Sequence, residues 1–143
     1  MIDTLSPTAR AAGARRHRCV LVVEANPAVR REIRNLFLAR GFFVNSATRT
    51  ADAVSLTDQD HYDVVVCDVQ PPGIDATELT RALRGAREAP MIVVITTAPL
   101  SPVMEEAFRD GRLLILRRPV GPAILLAAVE RVLAAFEAEA RSP

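Results

Sequence analysis

The chain has 143 residues, half of them hydrophobic and only 4% aromatic, with a formal net charge of +1. That length fits one domain with a core of Val, Leu, Ile and Ala, and the balanced charge gives no case for nucleic acid or an acidic partner. No apolar run approaches the roughly 18 residues that span a bilayer, and no signal-like block precedes the first strand, so a soluble cytoplasmic setting without membrane is expected.

Residues 1–17 are rich in Ala, Arg, Ser and Thr without periodicity and read as a disordered N-terminal arm. The cluster Arg15-Arg16-His17-Arg18 reads as a solvated flank closing that arm. Cys19-Val20-Leu21-Val22-Val23 is a strand buried on both faces, ending in Glu24-Ala25. Asn26 is placed to cap the next helix and Pro27 suits its first turn. Val29, Ile33, Leu36 and Phe37 recur at helical spacing, with Arg30, Arg31, Arg34 and Arg40 off that stripe. Gly41 closes the helix, Phe42-Phe43-Val44 begins a strand, and Thr50 to Leu56 makes a short helix.

The run Val64-Val65-Val66-Cys67 is another fully buried strand, and it ends on Asp68 before the loop Val69-Gln70-Pro71-Pro72-Gly73-Ile74-Asp75. Thr77 to Gly85 forms a helix, and Met91 to Ile95 a strand ending on Thr96-Thr97. Ser101-Pro102 starts a helix that Gly111 stops, and Leu113 to Leu116 is the last strand, terminating at Arg117-Arg118-Pro119. Gly121-Pro122 opens a final helix that runs through Phe136 into a polar tail, residues 137–143. Strands and helices alternate throughout, which predicts βα units wound on both faces of one parallel sheet. One domain is expected over residues 18–136.

Cys19 and Cys67 lie in predicted strands without metal-ligand spacing and read as buried free thiols. The chain contains no lysine, so every basic residue other than its two histidines is arginine. Ligands bind such sheets at the carboxyl ends of the strands, where Glu24, Asp68, Thr96 or Thr97, and Arg118 stand. Carboxylates can hold a hard divalent cation, while a hydroxyl and a cation take phosphoryl oxygens. A loop or capping Asp is the competing reading of Asp68. No G-x-x-x-x-G-K loop and no G-x-S-x-G elbow occurs, which argues against nucleotide hydrolysis and against a serine hydrolase.

With the strand into Glu24, Asp68 followed by Pro72-Gly73-Ile74-Asp75, the Thr96 strand end and Arg118-Pro119, the chain resembles the receiver domains of bacterial two-component response regulators over about Cys19 to Phe136. The resemblance implies a flavodoxin-like fold with strand order 2-1-3-4-5. It implies a signalling module rather than an enzyme, acting by protein–protein contact. Asp68 would accept a phosphoryl group from a histidine kinase or phosphotransfer protein and pass the signal to a downstream partner. Mg2+ would be held by Glu24, Asp68 and the backbone carbonyl of Gln70, with Thr96 as switch hydroxyl and Arg118 on the phosphate. The bond to Pro119 would be cis.

The departures from the family pattern matter as much. Receivers usually carry two adjacent acids after the first strand, the second a direct metal ligand; here the pair is Glu24-Ala25, which predicts a weakened or absent Mg2+ site. Asn26 has an amide oxygen to offer, but capping competes for it. The family's lysine before proline is Arg118, whose planar fork is not equivalent to a compact ammonium. Position counting selects Thr96 as the hydroxyl, whereas a Thr-Ala pair selects Thr97-Ala98. The aromatic that normally accompanies the switch is Ile115, which cannot swing a ring.

Two functions of different class follow. One is a stand-alone receiver in phosphorelay signalling, with no output domain after the last helix; the other is a pseudo-receiver, a partner-binding or dimerisation module independent of phosphorylation. In the final helix Leu125, Val129, Val132 and Phe136 form one inward stripe, with Ile124, Leu126 and Leu133 off it. That leaves either a homodimer or partner interface, or a wide core contact. A flavin or small-ligand site has little support, since no aromatic lies near the strand ends.

Overall fold

A computed structural model describes residues 18–69, 74–86 and 88–141. Five strands and five helices alternate: β1 (Cys19–Val23), α1 (Pro27–Ala39), β2 (Phe43–Ala47), α2 (Thr50–Gln59), β3 (Val64–Asp68), α3 (Ala76–Arg84), β4 (Met91–Thr96), α4 (Pro102–Arg109), β5 (Leu113–Arg117) and α5 (Pro122–Arg141). The strands form one sheet in the order β2-β1-β3-β4-β5, every neighbouring pair parallel.

The continuous apolar runs of β1, β3 and β4 follow from their central positions: every residue in them is buried. Alternate side chains serve opposite faces. Leu21, Val23, Val65 and Cys67 join a core with Ala53, Leu79, Leu83, Met104 and Ala107 of α2, α3 and α4. Val20, Val22, Val64 and Val66 join a second core with Ile33 and Phe37 of α1 and Leu125, Val129 and Leu133 of α5. Helices thus cover both faces, as the alternation predicts.

Helix boundaries follow local chemistry. Asn26 caps α1 and Ser101 caps α4, each followed by proline in the first turn. Gly41 and Gly111 take φ of 85° and 75° just past those helices, a region in which a side chain is disfavoured. Phe42 precedes β2 and packs edge-on against Phe37, with ring centroids 5.2 Å apart.

Three expectations change. The helix begun at Thr50 continues to Gln59, beyond Leu56. The last helix continues past Phe136 to Arg141, replacing the polar tail expected from residue 137. Glu137 explains part of this, since its carboxylate pairs with Arg18 at 2.9 Å and ties that turn to the start of β1. Leu126 and Leu133 are buried in the α1/α5 core, while Val132 and Phe136 are only partly buried against it. The inward stripe is therefore Leu125, Leu126, Val129 and Leu133, and the wide core contact accounts for both leucines offered as interface residues; of that set only Ile124 is exposed. The guanidinium of Arg112 lies over the Phe136 ring, 5.0 Å from its centroid, which draws that ring to the edge of the helix contact. The arm at residues 1–17, along with Gln70 and the Pro72-Gly73 turn, lies outside the described residues.

Candidate functional site

Parallel strands deliver their last residues to one edge of the sheet, so the end of each strand decides what that edge contains. β1 hands over to Glu24, which is fully buried. Its Oε2 accepts the backbone N–H of Asn26 at 2.9 Å, while Oε1 is buried without a hydrogen-bond partner. Asn26 Oδ1 accepts from the N–H groups of Ala28 and Val29 at 2.9 and 3.2 Å, so the amide oxygen is spent on the cap. The next position, Ala25, is exposed and carries no donor oxygen on its side chain.

β3 ends on Asp68, 3% exposed. It lies beside Ile95 in the β3–β4 register, and the N–H of Val69 still donates to the Ile95 carbonyl at 2.9 Å. β4 ends on Thr96, whose buried Oγ1 accepts the Ala98 N–H at 3.0 Å. Thr97 is exposed, so of the two threonines Thr96 is the one built into the strand end. Beyond β5 the Arg118–Pro119 bond is cis, as the resemblance implies. The Arg118 guanidinium reaches back across β4 and forms an ion pair with Asp68 Oδ1, with a long contact of 3.5 Å to the Val69 carbonyl.

The structure thus brings Asp68 and Arg118 together and places Glu24 and Thr96 at the same edge. Arg30 is an addition that the sequence reading left on the solvent side of its helix. Its Nη1 donates to the Glu24 carbonyl at 3.1 Å. The signal was available: the residue lies just inside the helix that follows Glu24, where a long side chain can fold back over the turn. A cleft of about 90 Å³ between α1 and the β5–α5 connection opens onto Asp68 and Arg118, with Glu32 and Leu36 on its walls. Asp75 does not join the site; its carboxylate caps α3 by accepting the Glu78 N–H at 3.0 Å, and its own N–H donates to Thr50 Oγ1 at 2.8 Å.

Burial and two nearby carboxylates shift the thiol of Cys67. Burial raises its thiol first, and the negative charges of Glu24 and Asp75 add to that, pushing it up to about 12. Both cysteines are buried and outside any disulfide among the described residues. Among the described residues no group of three or more His, Cys, Asp or Glu side chains is arranged to hold a metal ion, and no helix is long and apolar enough to cross a membrane.

Strand order 2-1-3-4-5, with an acid, a hydroxyl and a cation gathered at the carboxyl edge, defines a doubly wound α/β domain of the flavodoxin-like class. Residues 20–130 match the model of the response regulator receiver domain, and the chain belongs to that family of two-component signalling modules. It is 28% identical over 101 residues to the sensor protein EvgS of Escherichia coli O157:H7, a match covering 71% of this chain but 8% of that protein. The chain therefore spans a small part of the curated relatives that it matches. A two-component response regulator of the LuxR family from Aurantimonas sp. SI85-9A1 superposes with a TM-score of 0.69 at 30% identity, covering 83% of this chain and 86% of that one. The receiver domain of the sensor histidine kinase PA1611 from Pseudomonas aeruginosa PAO1, solved with a magnesium ion coordinated in its active-site cleft, superposes with a TM-score of 0.68 at 23% identity over 82% of this chain and 98% of that one.

Proposed function

We propose that this receiver domain works in phosphorelay signalling by protein–protein contact, with Asp68 as the phosphoryl acceptor and a histidine kinase or phosphotransfer protein as donor. The observation that carries this reading is the position of Asp68: a carboxylate at the end of a central strand with Arg118 against it and Thr96 at the end of the neighbouring strand. A carboxylate oxygen of Asp68 attacks the phosphorus of a phosphohistidine. The P–O bond forms as the P–N bond breaks, and the imidazole leaves with a proton. Arg118 supplies positive charge for the transferred oxygens and Thr96 a hydroxyl, both from fixed positions that need little reorganisation.

A second reading has its own support. Asp68 is almost fully covered, its Oδ1 is already held by Arg118, and Ala25 stands where the family carries its second acid. These features favour a pseudo-receiver that presents its surface to a partner with Asp68 unmodified. Mass spectrometry of the intact protein after incubation with acetyl phosphate or phosphoramidate, with and without Mg2+, separates the two. A gain of one phosphoryl group that is absent from Asp68→Asn supports the acceptor role. No adduct from either donor, nor from a phosphorylated phosphotransfer protein, gives the function to the unmodified domain.

A further inference from the structure

Magnesium takes about six oxygens in near-octahedral geometry and is held by one or two carboxylates plus waters. Most of the described oxygens at this sheet edge are already engaged. Asp68 Oδ1 is paired with Arg118, Glu24 Oε2 with the Asn26 N–H, and Asn26 Oδ1 with the cap of α1. The Glu24 carbonyl receives Arg30, and Ala25 offers no side-chain oxygen. Of the described carboxylate oxygens that leaves Asp68 Oδ2 and Glu24 Oε1, the latter buried without a hydrogen-bond partner. Two guanidinium groups therefore stand at this edge, one of them against the carboxylate a divalent ion would need. With a guanidinium against Asp68 and no side-chain oxygen at position 25, these residues do not fit the ion.

We propose that the Arg118 guanidinium is the resident cation of this site, neutralising buried Asp68 in place of a divalent metal. The physical case is direct. A carboxylate that is 3% exposed must be paired to stay charged, and the charge beside it is delivered by the protein's own chain. Arginine suits the task because its guanidinium stays protonated and is more weakly hydrated than an ammonium. A second cation would then meet the positive charge of Arg118 and find no side-chain ligand at Ala25. The inference concerns the cation and stands whether or not Asp68 accepts a phosphoryl group, so its test uses no phosphodonor.

The experiment titrates Mg2+ into the whole chain while following thermal stability, and Mn2+ while following paramagnetic broadening of the Val69 and Ile95 amide signals. Wild type is expected to show neither a saturable rise in Tm nor site-selective broadening. Arg118→Met, which keeps the stem and removes the charge, is expected to melt lower in metal-free buffer. It should then gain divalent-ion affinity by roughly tenfold or more over wild type, a change of about 1.4 kcal/mol or above. Asp68→Asn in the Arg118→Met background should lose that response. Saturable broadening in wild type that Asp68→Asn abolishes would overturn the proposal. An absence of any ion response in both Arg118→Met and Arg118→Gln would overturn it as well, because the guanidinium would not then be what keeps metal out. The wild-type arm needs no variant to fold.

Discussion

The carboxylate of Glu24 holds the backbone N–H of Asn26 at 2.9 Å, and Asn26 in turn holds the first turn of α1. A buried acid at the end of β1 is thereby committed to shaping the turn that follows. Replacing Asn26 by Ala removes the acceptor for the Ala28 and Val29 N–H groups, with an expected loss of about 1 kcal/mol. Asn26→Ser keeps a capping oxygen and should lie within a few tenths of wild type. Urea midpoints of the two variants check this, and equal losses would show that the cap contributes little.

Burial on α5 sorts its leucines from Ile124. Leu133 is 1% exposed and Ile124 62% exposed. Leu133→Ala should destabilise by about 2–5 kcal/mol through lost burial and a residual cavity, and Ile124→Ala should stay within about 0.5 kcal/mol. Chemical denaturation measures both. A small effect at Leu133 would mean that the α1/α5 layer packs differently.

Alkaline stability depends on Cys67. Its thiol is raised by burial, with Glu24 and Asp75 adding to the shift, up to about 12 in the folded chain. The unfolded chain therefore loses its thiol proton first. The contribution is fully present below the ordinary thiol pKa and declines as pH rises through the interval up to about 12. The slope from this one group is at most about 1.4 kcal/mol per pH unit. Tyr62 acts in the same direction, raised by burial against a lowering hydrogen bond from Asn45. Cys67→Ala should show a shallower alkaline decline in unfolding free energy, even if it starts lower at neutral pH. Identical slopes in the two proteins would remove Cys67 from the account.

Thr80 sits in α3 fully buried, and its Oγ1 has no hydrogen-bond partner. Leaving a hydroxyl desolvated and unpaired is unfavourable, so Thr80→Val, which keeps the shape, should be neutral or stabilising by about 1 kcal/mol. A thermal melt decides. A clear loss of stability would mean that the hydroxyl is satisfied in solution.

Much of this was legible beforehand. β1, β3 and β4 announce themselves because a strand covered on both faces needs an unbroken apolar run, and α1 and α4 do so because Asn26-Pro27 and Ser101-Pro102 satisfy helix starts locally. Asp68 stood out by interrupting such a run at its end. The interior side of α5 was legible only as two alternatives, because Leu125, Leu126, Val129 and Leu133 are too many for one narrow stripe, and only their packing in one core with α1 and the sheet decides for the wide contact. The extension to Arg141 was hidden for a similar reason: Glu137 looks like tail until Arg18 is seen beside it.

The sequence alone determined the order of elements, the parallel sheet and the set of polar residues at its carboxyl edge, since each follows from periodicity, capping and burial within a short stretch. Tertiary structure decided which of those residues meet. That Arg118 reaches over β4 to Asp68 and that Thr96 rather than Thr97 is enclosed depend on strand order and register. Side chains far apart in the chain become partners only once the sheet has set the distance between them, and no local pattern encodes that distance.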